Sequence, residues 1–287
     1  MKTLILRAAL AFLVSVSVGH VLYAAPHCSN GDLKGVYGML ATGTVAGVPV
    51  PGFNGPFARV GRVVADGKGK LAIANTASYN GIIIPESYPA DYTVSPDCTV
   101  DIKPLVPLPL GPGGSLVPVP FEFIGALADN GNEAAVVLCG VGAPCFVAPP
   151  GSTIRVLLNR LDNNRDGCTN RDLSGAFLLD LSGTVVSGGP VVGPFARDGR
   201  LVFDGHGGFS GHATAVFSGL AQPEDLNGLY TVDSLCNVTI NFTLGTAHKW
   251  TGTLTDRGNG ADLIVAESGA VVAGTLKAQK PGGDHDD

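Results

Sequence analysis

An internal repeat restricts the fold more than any other feature. "CSNGDLKGVYGMLATGTV" from Cys28 aligns without a gap on "CTNRDLSGAFLLDLSGTV" from Cys168, at an offset of 140 residues. "GPFARVGRVVADGKGKL" from Gly55 matches "GPFARDGRLVFDGHGGF" from Gly193, and "YTVSPDCTVDI" from Tyr92 matches "YTVDSLCNVTI" from Tyr230, both at an offset of 138. Three blocks in one order define a tandem duplication, and each copy is long enough to bury its own core. The copies occupy 28–161 and 168–279, with a linker at 162–167 and an acidic tail at 280–287 that reads as disordered.

Within a copy the signals are those of strands and tight turns. Glycine is abundant at 41 residues and proline reaches 20, while only 15% of residues are charged, which suits short buried strands and excludes long amphipathic helices. In the second copy, extended segments are expected at Ala176–Val186, Phe195–Phe203, Phe209–Gly219, Leu229–Asp233, Asn237–Leu244, Lys249–Thr255, Asp262–Glu267 and Val271–Ala278. Asp-Gly pairs in "DGKG" and "DGHG" tolerate positive φ and mark hairpins. Alternation in "CNVTINFTL" sends Val238, Ile240, Phe242 and Leu244 to one face and the polar residues to the other. The same parity turns Phe177, Leu179 and Leu181 inward, and with them Tyr37, Met39 and Ala41. Eight such strands per copy predict an all-β chain of two tandem up-and-down barrels, closed so that no edge is exposed; a pair of β-sandwiches is the alternative.

The blocks "GPFARVGRVVADGKGK", "GPFARDGRLVFDGHGG", "DYTVSPDCTV" and "LYTVDSLCNV" resemble the recurring motifs of a group of uncharacterised secreted bacterial proteins. That resemblance implies a small barrel similar in fold to lipocalins or to the allene oxide cyclase barrel, and it implies no catalytic residue. Ala65 stands where the second copy has the motif's Phe203, so the first interior is expected to be looser.

The N-terminal "MKTLILRAALAFLVSVSVGHVLYAAPHC" has two cations, then an apolar run and small residues, the pattern of a secretory signal over 1–24. No later run is long enough for a membrane-spanning helix. Loss of Lys2 and Arg7 with the signal moves the formal charge from −6 to −8. With its remaining cations scattered, such a chain is a poor nucleic-acid binder. Six cysteines in an exported chain imply disulfides. The repeat pairs Cys28 with Cys98 and Cys168 with Cys236, and leaves Cys139 and Cys145 to staple a loop. No CxxC or HxxxH spacing supports a metal site, and no cofactor motif is present.

Candidate chemistry is sparse. "LDNNRDGCTNRDL" spaces Asp162, Asn164 and Asp166 as a calcium loop does, but Leu173 stands where the bidentate Glu belongs, and "CTNRDL" is explained as the repeat of "CSNGDL". Ser210 and His212 lie on the wet face of a strand and lack a nucleophile elbow. The informative residues are Arg59 and Arg197, which share inward parity with Val63 and Leu201, whereas Arg62 and Arg200 point to solvent. A guanidinium inside a barrel must be paired, closing one end, or must meet a ligand carboxylate. The Pro-rich stretch at 104–120 reads as a cap, an inter-domain packing element or a surface for a protein partner, and "IIIPESYP" reads as too proline-broken for a regular strand. The expected function is that of an exported, non-enzymatic binding protein, periplasmic or extracellular, holding a small apolar, amphipathic or carboxylate-bearing ligand at Arg59 or Arg197. A structural envelope or matrix protein and a cavity-type isomerase or cyclase are the alternatives.

Overall fold

A computed structural model describes residues 27–48, 50–104, 122–139, 151–161, 167–188, 191–243 and 249–279. Strands β1 (Lys34–Val45), β2 (Gly55–Asp66), β3 (Lys70–Tyr79), β4 (Ile82–Val94), β5 (Thr99–Pro104), β6 (Glu122–Ala128), β7 (Glu133–Cys139) and β8 (Thr153–Leu161) form an antiparallel meander in which β8 pairs back on β1. The second copy repeats it with β9 (Ser174–Val185), β10 (Gly193–Asp204), β11 (Gly208–Phe217), β12 (Leu220–Val232), β13 (Asn237–Phe242), β14 (Lys249–Thr255), β15 (Gly260–Val265) and β16 (Ala270–Ala278). Both are closed eight-stranded barrels, which settles the choice against sandwiches.

Alternation places the cores as expected. Tyr37, Met39, Ala41, Val63 and Leu71 fill the first barrel, and Phe177, Leu179, Leu181, Val238 and Ile240 fill the second. Phe203 packs on Phe177, Phe209 and Tyr230, while its counterpart Ala65, opposite Gly35 and Leu71, is equally buried. The hairpin aspartates do structural work: Asp66 Oδ1 accepts the N–H groups of Lys68 and Lys70, and Asp204 Oδ1 accepts those of His206, Gly207 and Gly208. The following Gly67 and Gly205 take φ of 77° and 76°, the left-handed region open to glycine.

Two expectations are corrected. The segment "IIIPESYP" lies within β4, and the second copy's equivalent strand starts at Leu220, nine residues before the expected Leu229. The physical reason is one-sided pairing. Among the described residues Ile82–Pro89 pair with β3 alone, because β5 joins the ladder at Ala90; likewise the β13 side meets β12 from Asn227 and Gly228 onward. Tyr92 N–H donates to Gly69 on the β3 side, so by alternation the nitrogens of Pro85 and Pro89 face away from β3, where among the described residues no strand calls for a donor. Arg62 points outward as expected, yet its Nε is shielded from solvent, whereas Arg200 is exposed and donates to Gln279.

The Cys28–Cys98 and Cys168–Cys236 bridges form as the repeat requires, closing separations of 70 and 68 residues. Cys139 is also disulfide-bonded, while Cys145 lies outside the described residues. The "CTNRDL" polar residues serve the fold: Asn170 Oδ1 accepts Val232 N–H and Asp172 caps Thr169, as Asn30 and Asp32 do in the first copy. Residues 162–166, the Pro-rich segment beyond Pro104, the tail and residues 1–26, where a signal is expected, lie outside the described residues.

The barrels pack side by side. Ala58 and Val60 of β2 meet Ile264, Val271 and Ala273 of β15 and β16, and Gly269 N–H donates to Gly81 O across the joint. Gly38 lets β1 approach β14, because a Cβ there would lie 3.0 Å from Thr253 Cγ2. Asp262 sits in this joint facing Asn159 of β8, with Thr253, Thr275 and Lys277 around it. Burial pushes its carboxyl up to about 7, against the opposing pull of Asn159 and Lys277, and its Oδ2 has no hydrogen-bond partner.

Candidate functional site

Within the first barrel the inward positions of β2, β3 and β4 bring five polar side chains together: Arg59, Asn75, Tyr79, Glu86 and Tyr88. Arg59 NH2 lies 2.7 Å from Glu86 Oε2 and donates to the Tyr79 hydroxyl at 2.6 Å, and its NH1 donates to the Tyr88 hydroxyl at 2.9 Å. Tyr79 in turn donates to Glu86 Oε1 at 2.8 Å. Phe53 and Phe57 lean on Tyr79, and the Arg59 guanidinium stands 5.1 Å from the Phe57 ring centre. The cluster lies toward the barrel end opposite the disulfide.

Electrostatics keeps the Arg59 guanidinium charged and the two phenols neutral. Burial by itself would lower Arg59, but Glu86, Tyr79 and Tyr88 outweigh it and its pKa is raised. Burial drives Tyr79 and Tyr88 upward, with Arg59 opposing and Glu86 reinforcing the rise. A few donors and acceptors are left over. Arg59 Nε is unpartnered, and Asn75, only 8% exposed, sits near the Tyr88 hydroxyl while neither of its amide atoms closes a hydrogen bond of normal geometry.

The second barrel keeps the pair and discards its surroundings. Arg197 NH2 lies 2.8 Å from Glu224 Oε2, the counterpart of Glu86, and its guanidinium stands near the rings of Phe195 and Trp250. At the positions of Asn75, Tyr79 and Tyr88 stand Ala213, Phe217 and Leu226. Burial lowers the Arg197 pKa because only Glu224 opposes it. Parity thus foretold both inward arginines. Their glutamate partners were missed, although Glu86 and Glu224 also recur at the 138 offset.

The remaining candidates are not drawn together. His212 Nδ1 lies 2.6 Å from Asp225 Oδ1 on the outer wall of the second barrel, with both side chains mostly in water. Among the described residues no three His, Cys, Asp or Glu side chains converge as a metal site, and no helix is long and apolar enough to cross a membrane. Two hollows lie on the outside of the barrels, one of about 420 Å³ between them and one of about 510 Å³ beside His212.

No family model matches the chain. No curated protein matches it either. Among solved structures it is similar to a protein of unknown function of the DUF3598 family from Nostoc punctiforme, at 8% identity and a TM-score of 0.26, over 88% of this chain and 99% of that one. At that level of likeness nothing is carried across.

Proposed function

We propose that the chain is an exported, non-enzymatic binding protein whose first barrel holds a small amphipathic ligand, with Arg59 and the side chains around it as the polar contact. The supporting observation is the divergence of the two copies. Both keep the Arg–Glu pair that neutralises the interior, but the first alone adds Asn75 and two phenols around it, and neither atom of the Asn75 amide closes a hydrogen bond of normal geometry. Glu86 already occupies the guanidinium fork, so a ligand carboxylate would meet a like charge; a neutral, hydrogen-bonding head on an apolar body is the better match. Local opening at the end where Phe53 and Phe57 stack on Tyr79 gives the path in. The second barrel, with Arg197 paired among Phe195 and Trp250, favours a structural role for that copy. Disulfides and the leader-like N-terminus support export.

Native mass spectrometry of the exported protein tests this reading against the double variant Asn75→Ala, Tyr88→Leu, which installs the second copy's residues. A bound small molecule present in the wild type and absent from the variant is the expected result. No bound mass in either, or the same mass in both, rejects the first-barrel site.

A further inference from the structure

A hollow of about 420 Å³ opens where the barrels meet, within the range of small-molecule sites and in the kind of inter-domain position they favour. The duplication builds its two walls from equivalent strand segments: Thr42 and Thr44 of β1 face Ser182 and Thr184 of β9, which are their counterparts at the 140 offset. Thr275 of β16 and Asp180 complete the polar lining, while Ala58, Val271 and Ala273 give an apolar floor continuous with the joint. The glycines between these hydroxyls need no ligand to explain them. A Cβ on Gly43 would stand 1.9 Å from Thr153 O, and one on Gly274 1.9 Å from Asp180 O, so close strand approach accounts for both.

Two observations give the hollow a chemical preference. Among the described residues, none of the six polar side chains lining it closes a hydrogen bond or ion pair within the protein, so five hydroxyls and a carboxylate are presented unspent. In addition, Asp180 is directly opposite Asp198 on β10 and Thr275 on β16, so two aspartates are neighbours across the strands, Asp180 lining this cleft and Asp198 the hollow beside His212. Like charges in that arrangement destabilise a sheet, and a cationic guest over Asp180 relieves the repulsion. We propose that the cleft is a second binding site, independent of the first-barrel interior, for a small protonated amine bearing hydroxyl groups.

The test is a titration of the full exported chain, labelled for amide NMR, with glucosamine as probe and glucose as its uncharged analogue. The expected result is a set of shifts confined to the cleft amides of Gly43, Gly183 and Gly274, absent with glucose. Asp180→Asn, a substitution on an exposed side chain that leaves the other resonances in place, should weaken glucosamine roughly tenfold, the worth of a charge-assisted contact. Equal shifts with both sugars, or no response to Asp180→Asn, overturn the assignment to an amine. Silent cleft amides at saturating probe overturn the site itself. Shifts at Asn75 or Tyr88 in place of the cleft would likewise reject it and point to the first-barrel interior.

Discussion

Replacing Asp262 by Asn should strengthen the molecule increasingly as pH rises above about 4, with the full gain reached near pH 7. Asp262 lies in the joint between the barrels, and burial pushes its carboxyl up to about 7. An aspartate that titrates near 3.9 in the unfolded chain and near 7 in the folded one loses about 4 kcal/mol of stability across that interval. The direction follows from where the proton sits. Below about pH 4 both states hold it and the contribution is complete; between about pH 4 and 7 the unfolded chain releases it first, so stability falls as pH rises; above about pH 7 the loss is complete. Asparagine keeps the shape of the neutral acid and cannot ionise. Trp250, the chain's one tryptophan, is buried in the second barrel with Asp262 on that barrel's wall, so its fluorescence follows the relevant unfolding. Near pH 4 the Asp262→Asn variant and the wild type should unfold together. At pH 8 the variant should be more stable by up to about 4 kcal/mol, roughly 10 °C for a chain of this size. Parallel pH profiles, or a variant weaker than wild type at pH 8, would refute the placement of an uncompensated carboxyl in the joint.

Further outcomes follow from the same contacts. Glu86→Gln strands Arg59 among apolar and phenolic groups and should cost about 3–5 kcal/mol by calorimetry. Glu224→Gln should cost less, because the Glu224 side chain is 20% exposed and already partly solvated, whereas Glu86 is fully buried. Serine in place of both Cys168 and Cys236 removes a bridge closing 68 residues and should lower second-barrel stability by about 4 kcal/mol, read from Trp250 fluorescence. Gly38→Val drives a side chain into Thr253 and Leu254, and should cost about 1–3 kcal/mol while separating the two barrels into distinct calorimetric transitions.

The sequence carried the architecture because the duplication repeats its own constraints. Inward residues recur at fixed offsets, so parity read in "CNVTINFTL" could be checked in another strand and another copy, and the cysteine pairing followed from two equivalent positions. The early part of β12 was illegible for a physical reason: among the described residues "AQPEDL" pairs on the β11 side alone, so it tolerates proline and polar residues that a two-sided strand would reject. The joint was also hidden. Ile264 and Val271 read as ordinary strand residues, and nothing local says that an outward face will meet another barrel. At the candidate site parity aimed both arginines inward, but the significance of Asn75 emerged only when its amide proved unpaired in a barrel whose twin carries Ala213.

Asn75 therefore gives the most direct test. If its amide is kept for a ligand and contributes nothing to folding, Asn75→Ala should leave the ligand-free protein as stable as the wild type or more so, since a buried unsatisfied amide costs about 1–3 kcal/mol. The measurement is calorimetric unfolding of the ligand-stripped wild type and variant side by side. An unchanged or higher melting temperature is the predicted result; a fall of several degrees would show that Asn75 holds the barrel together, and would contradict a first barrel built to bind.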